Sequence, residues 1–136
     1  YKISQVGRQK TLSLADNLKD ILPRIRVEIV DKKIRPGEAE ALFSDCALVV
    51  EGFDDKQMKK MLMEELAESN KPLVCASGIA GKDLHSVKIR KIGTCHVVGD
   101  FTSDQADFAL FPPKIAMITA LMADIVIKEM EGRSHE

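Results

Sequence analysis

The sequence has no Trp, one Tyr and five Phe in 136 residues. Binding of single-stranded nucleic acid by stacking bases on aromatic rings is therefore not expected. An excess of one charge is also missing. Lys and Arg number 20 and Asp and Glu 21, a net charge of −1 that excludes a general polyanion binder. Neither G-x-G-x-x-G nor G-x-x-x-x-G-K-[ST] occurs, so these residues carry no glycine loop to cradle a dinucleotide or triphosphate. Gly78-Ile79-Ala80-Gly81 offers only G-x-x-G, a spacing that more often marks tight turns. Cys46, Cys75 and Cys95 form no C-x-x-C pair, which removes zinc and thioredoxin-like sites. Each falls in an expected strand, as buried free thiols in a reducing cytoplasm. His85, His96 and His135 stand apart from any nucleophile motif and read as surface or strand-packing residues. No signal peptide opens the chain, and the longest apolar segment, 115–127, is broken by Asp124 and falls short of the roughly 20 residues of a membrane span.

What is present is an alternation of strands and helices. Leu14, Leu18, Ile21 and Leu22, with Leu12 and Ala15, recur at helical spacing over 9–22, and Pro23 ends that helix. Residues 25–30 alternate strictly and predict a strand near a sheet edge. Residues 36–43 predict a short helix with Pro36 in its first turn. The run 46–50 is apolar at every position, as expected of a parallel strand covered on both faces. A helix follows over 55–69, with Met58, Met61, Leu62 and Leu66 inward, Lys56, Lys59, Lys60, Glu64 and Glu65 mostly outward, and Asn70 at its end. Residues 72–76 predict a third strand. Residues 87–92 and 95–98, separated by Gly93-Thr94, predict a hairpin whose Lys88, Arg90 and Lys91 protect an exposed edge. A long loop over 99–110 invites a functional explanation. Pro112 and Pro113 open a last helix to about 130, with Ile115, Ile118, Leu121, Met122 and Ile125 as its stripe and Ala116, Ala120 and Ala123 allowing close packing. Residues 133–136 are expected to fray.

The pattern predicts one α/β domain over 1–136: a partial Rossmann-like three-layer fold with parallel strands and a C-terminal antiparallel hairpin, lacking the N-terminal glycine-loop strands. The chain opens on Tyr1 and on a helix with no strand to feed it, so an upstream segment is expected to be missing.

Ligands of open α/β sheets sit at the carboxyl ends of the strands, which here places residues 51–55 where chemistry is expected. Asp54, three residues before Gln57, reads as a helix cap. It also reads as a carboxylate for Mg²⁺ on nucleotide phosphates, and pattern alone favours the cap. Lys10, near Gly7, is either a helix-face lysine or a group beside a helix start where anions collect.

The segments 1–10 (YKISQVGRQK), 21–23 (ILP) and 49–55 (VVEGFDD) resemble the ThiF/MoeB/HesA family of adenylyltransferases related to ubiquitin-activating enzymes. Residues 71–81, the hairpin ending Gly99-Asp100 and the helix over 111–130 look like the short ThiF variants of thiamine biosynthesis. The resemblance implies the C-terminal portion of such a domain. Missing opening strands would leave apolar sheet and helix faces open, so a homodimer is expected, in the cytoplasm that the free thiols suggest. With ATP and Mg²⁺ it would adenylate the C-terminus of a ThiS-like ubiquitin-fold carrier. Lys10 would match the lysine that contacts ATP phosphates, and Asp54 the aspartate that serves Mg·ATP and catalysis. The family's glycine loop and zinc cysteines are absent from these residues, so no zinc is expected and the chain alone is expected to be inert. A non-catalytic Rossmann-like nucleotide-binding module, or an interaction module, is the alternative.

Overall fold

The computed structural model describes residues 1–133. Two compact units are present, one spanning Tyr1–Ile34 and one from Arg35 onward. His135 and most of the expected frayed tail lie outside the described residues.

In the first unit, a single 3₁₀ turn at Ile3–Gln5 precedes helix α1, Lys10–Ile21. Gln5 is buried and its amide donates to Asn17 Oδ1 at 2.8 Å and to the Ser13 carbonyl at 3.3 Å. Of the expected stripe of α1 only Ala15 is buried, together with Ser13 outside the stripe; Leu18 is half-buried, while Leu12, Leu14, Ile21 and Leu22 are exposed. Residues 25–30 form no strand, although Ile25 and Val27 are half-buried in alternation. The alternation is there, but a strand exists only where a neighbour accepts its ladder, and no described residue does so.

The second unit is built on a four-stranded mixed sheet in the order β1-β2-β4-β3. Strand β1 is Val49–Val50, β2 Leu73–Ala76, β3 Lys88–Ile92 and β4 Cys95–Gly99. β1 and β2 are parallel, β2 and β4 are parallel, and β3 pairs antiparallel with β4. Within the sheet, the central strands β2 and β4 carry most of the buried apolar residues, because only they have neighbours on both sides. Helix α4, Pro112–Arg133, packs Ile118 and Ile125 on Val74 and Val98 of one face. By strand alternation, Leu73, Cys75, Cys95 and Val97 share the other face.

Several expectations change here. The run 46–50 contributes only a two-residue strand at an edge; Val50 is exposed, and Cys46 lies before the strand and is exposed rather than buried. The helix expected over 36–43 shortens to α2, Ala39–Leu42, whose first turn is capped by Glu65 accepting from Gly37 N at 2.6 Å and Ala39 N at 3.0 Å. Glu65 therefore does structural work instead of facing solvent. Ala116, Ala120 and Ala123 of α4, expected to allow close packing, are exposed.

Other expectations hold. Helix α3, Lys56–Glu68, buries Leu62 and Leu66. It ends at Asn70, whose φ of +56° lets Lys71 N donate back to the Leu66 carbonyl. Strand β3 is exposed along its length, and its cations line a sheet edge. No helix among the described residues is long and apolar enough to cross a membrane.

Candidate functional site

Because β1, β2 and β4 are parallel, their carboxyl ends open on one edge of the sheet. Three loops meet there: 51–55 after β1, 77–81 after β2, and the segment after β4. Between them lies a cleft of about 590 Å³, lined by residues that include Phe53, Asp54, Lys59, Gly78, Thr102 and Ser103.

Asp54 is exposed in this cleft and has no side-chain partner among the described residues. The cap of α3 is Asp55, whose Oδ1 accepts from Gln57 N at 2.8 Å and Met58 N at 2.9 Å. The capping role read for Asp54 thus belongs to the residue after it, because Asp55 is the last extended residue before the helix, with ψ +122°.

The turn that presents Asp54 is held from behind. Glu51 is fully buried at its side chain, accepts a hydrogen bond from Phe53 N, and lies 3.3 Å from Lys59 Nζ. Lys59 also donates to the Ala76 carbonyl at 2.6 Å, tying the end of β1 to the end of β2 through α3. Burial pushes the Glu51 carboxyl above its usual range, and the Lys59 charge and the Phe53 N–H only partly offset this. Lys59 was expected to face outward; its long stem instead brings the ammonium to two oxygens at the strand ends.

On the opposite side of the sheet's centre, Asp100 Oδ2 meets Lys114 Nζ at 2.5 Å. Burial raises the Asp100 carboxyl, but Lys114 and the N–H groups of Ser103 and Thr102 outweigh it and hold the group well below the ordinary carboxylate range. Lys56 forms an exposed ion pair with Asp104, linking α3 to the loop after β4.

Lys10 is the first residue of α1, in the first unit, and is exposed; Gly7, three residues earlier, takes φ +83°. No acidic residue occupies the first turn of that helix. The resemblance implies roles for Lys10 and Asp54, whereas helical spacing turns Lys59 outward and gives Lys114 no role. Lys114 left one signal, since it continues the α4 stripe one turn before Ile118. Among the described residues no group of three His, Cys, Asp or Glu could hold a metal ion. One free carboxylate suits a magnesium ion that arrives on phosphates and keeps several waters, rather than a resident metal.

No curated protein sequence matches the chain significantly. Among solved structures, E. coli tRNA N6-threonylcarbamoyladenosine dehydratase, TcdA, in complex with AMP superposes with a TM-score of 0.80 at 18% identity, covering 96% of this chain and 67% of that one. The same protein in complex with ATP gives a TM-score of 0.73 at 18% identity, with 96% and 67% covered. A third TcdA structure gives 0.76 at 17% identity, with 99% and 69% covered. At these identities the likeness establishes the fold, a partial Rossmann-like α/β arrangement. The family follows from the sequence, which matches along residues 1–136: the chain belongs to the ThiF family.

Proposed function

We propose that this chain takes part in the ATP-dependent adenylylation of a carboxylate, with the C-terminal glycine of a ThiS-like carrier of thiamine biosynthesis as the acceptor. The observation that carries this reading is the division of labour at the β1–α3 corner. Asp55 caps the helix and leaves Asp54 free on the cleft, at the sheet edge where α/β folds bind ligands. The ligands named for the TcdA structures, AMP and ATP, support a nucleotide in a fold of this kind.

In this reading residues 1–136 act as one domain, the C-terminal part of a ThiF-like adenylyltransferase domain, and Asp54 orients the metal-bearing phosphates. Lys10 contributes a point charge to the phosphate chain. The carrier carboxylate attacks the α-phosphorus, the bond to pyrophosphate breaks, and carrier acyl-adenylate and pyrophosphate leave. Magnesium, when bound, neutralises charge that builds on the departing pyrophosphate. Glu51 and Lys59 keep the corner in place. With no glycine loop among these residues, the chain is proposed to bind ATP·Mg weakly and to give no pyrophosphate exchange by itself. Exchange by the 136-residue chain would contradict that. The chain is further proposed to work as a homodimer in the cytoplasm; a strictly monomeric species in sedimentation would oppose the dimer.

The test of the carrier is incubation with ATP, magnesium and a Gly-Gly-ended ubiquitin-fold protein, with binding read by NMR shifts on both partners. A second reading, favoured by the TcdA likeness, replaces the carrier by a carboxylate borne on tRNA. Competition between threonylcarbamoylated tRNA and the carrier separates the two.

A further inference from the structure

A lysine stands where the α4 stripe reserves room for an apolar side chain. Lys114 is 1% exposed. Its ammonium donates to the Ala80 carbonyl at 2.6 Å and to Asp100 Oδ2 at 2.5 Å. Burying a charge is costly even when it is paired, and an apolar side chain of similar volume often serves stability as well or better. Packing alone therefore gives no reason for a lysine here.

What the pair supplies is a fixed point where three segments meet. The second oxygen of Asp100 accepts from Thr102 N at 2.8 Å and from Ser103 N at 2.7 Å. Gly78 approaches so closely that a Cβ on it would stand 2.0 Å from Asp100 Oδ1, and a Cβ on Gly99 would stand 1.8 Å from the Ser77 carbonyl oxygen. Between these contacts Phe101 is held at φ +66°, a conformation rare for a phenylalanine, with the Arg90 guanidinium 4.2 Å from its ring centroid. Phe101, Thr102 and Ser103 then line the same cleft as Asp54, while neither Lys114 nor Asp100 lines it.

We propose that Lys114 is a positioning residue: acting through Asp100, it holds the wall formed by Phe101, Thr102 and Ser103 in the shape that admits the nucleotide, without touching the nucleotide itself. This rests on the nucleotide reading above and adds to it the residue that sets the cleft's shape. An apolar side chain at 114 would pack as well but could not orient Asp100, and the turn over 100–103 would lose its anchor.

The test uses the full chain with Lys114→Met and Lys114→Arg, read by NMR. Hydrogen exchange is followed at the Thr102 and Ser103 amides, and chemical shifts are followed during titration with ATP and magnesium. Lys114→Met is expected to lose protection at both amides and to weaken ATP by about tenfold, as outer-shell losses commonly do. Lys114→Arg, which keeps the charge and can reach both acceptors, is expected to restore both readouts. Should Lys114→Met fail to fold, Lys114→Met with Asp100→Asn buries no unpaired charge and carries the same expectation. Unchanged protection, or unchanged ATP affinity despite lost protection, overturns the proposal. A wild-type chain that shows no ATP-dependent shifts overturns the nucleotide reading and this proposal with it. That failure is recognised before any substitution is made.

Discussion

Asp55→Ala and Asp54→Ala remove the same chemical group from adjacent positions, and the geometry predicts opposite consequences. Asp55 Oδ1 accepts from two N–H groups of the first turn of α3, at 2.8 and 2.9 Å. Loss of such a cap costs about 1 kcal/mol, within the usual range of roughly 0.5–2. Asp55 is exposed, so water can reach the freed N–H groups, and the larger penalty of a buried unsatisfied donor does not apply. For a chain of this size, about 1 kcal/mol lowers the melting temperature by roughly 3–6 °C. Asp54 has no described side-chain partner, so Asp54→Ala should stay within about 0.5 kcal/mol of wild type, like other surface substitutions. Thermal unfolding by circular dichroism, paired with urea titration, resolves the two. If Asp54→Ala costs as much as Asp55→Ala, Asp54 has a structural role and the free-carboxylate reasoning fails.

Two further outcomes follow from the same loops. Gly78→Ala must take φ +73° with its methyl group 2.0 Å from Asp100 Oδ1, so it should cost at least about 2 kcal/mol, whereas Gly52→Ala, with open space around it, should fold normally; urea midpoints check this. The pH dependence of stability should carry two opposed contributions, visible in unfolding curves at successive pH values. The Asp100 carboxyl is lowered on folding, so its contribution is present above its usual value of 3.8 and is lost as pH falls. The Glu51 carboxyl is raised on folding, so stability falls as pH rises from its usual value of 4.5 through the folded one. Glu51→Gln should remove the second slope and leave the first.

Much of the second unit is readable from periodicity. The apolar residues of α3, the run at β2 and the Gly93-Thr94 turn each specify an element through a local rule. The elements that failed depend on a neighbour. Residues 25–30 alternate as a strand does, yet no described strand offers them a ladder, and residues 46–50 are apolar throughout but pair only at Val49 and Val50. The leucines and isoleucine of the α1 stripe follow helical spacing, yet Leu12, Leu14, Ile21 and Leu22 remain exposed for the same kind of reason: spacing sets which residues share a face, not what covers it. At the site, Asp54 and Asp55 differ by one position, which is finer than a capping pattern resolves. Lys59 and Lys114 carry the side chain most often left in water, and only the tertiary positions of Ala76, Ala80, Glu51 and Asp100 turn them inward. Family resemblance implies roles for Asp54 and Lys10 and says nothing of the Glu51–Lys59 and Asp100–Lys114 pairs.

The most direct measurement is the binding of ATP by the wild-type chain and by Asp54→Asn, each with and without magnesium, followed by NMR at the backbone amides of 52–57 and 77–79. The account predicts magnesium-dependent shifts at both loops in the wild type. In Asp54→Asn it predicts that the magnesium dependence disappears while the melting temperature is unchanged. Equal ATP binding by the two proteins in the presence of magnesium would contradict it.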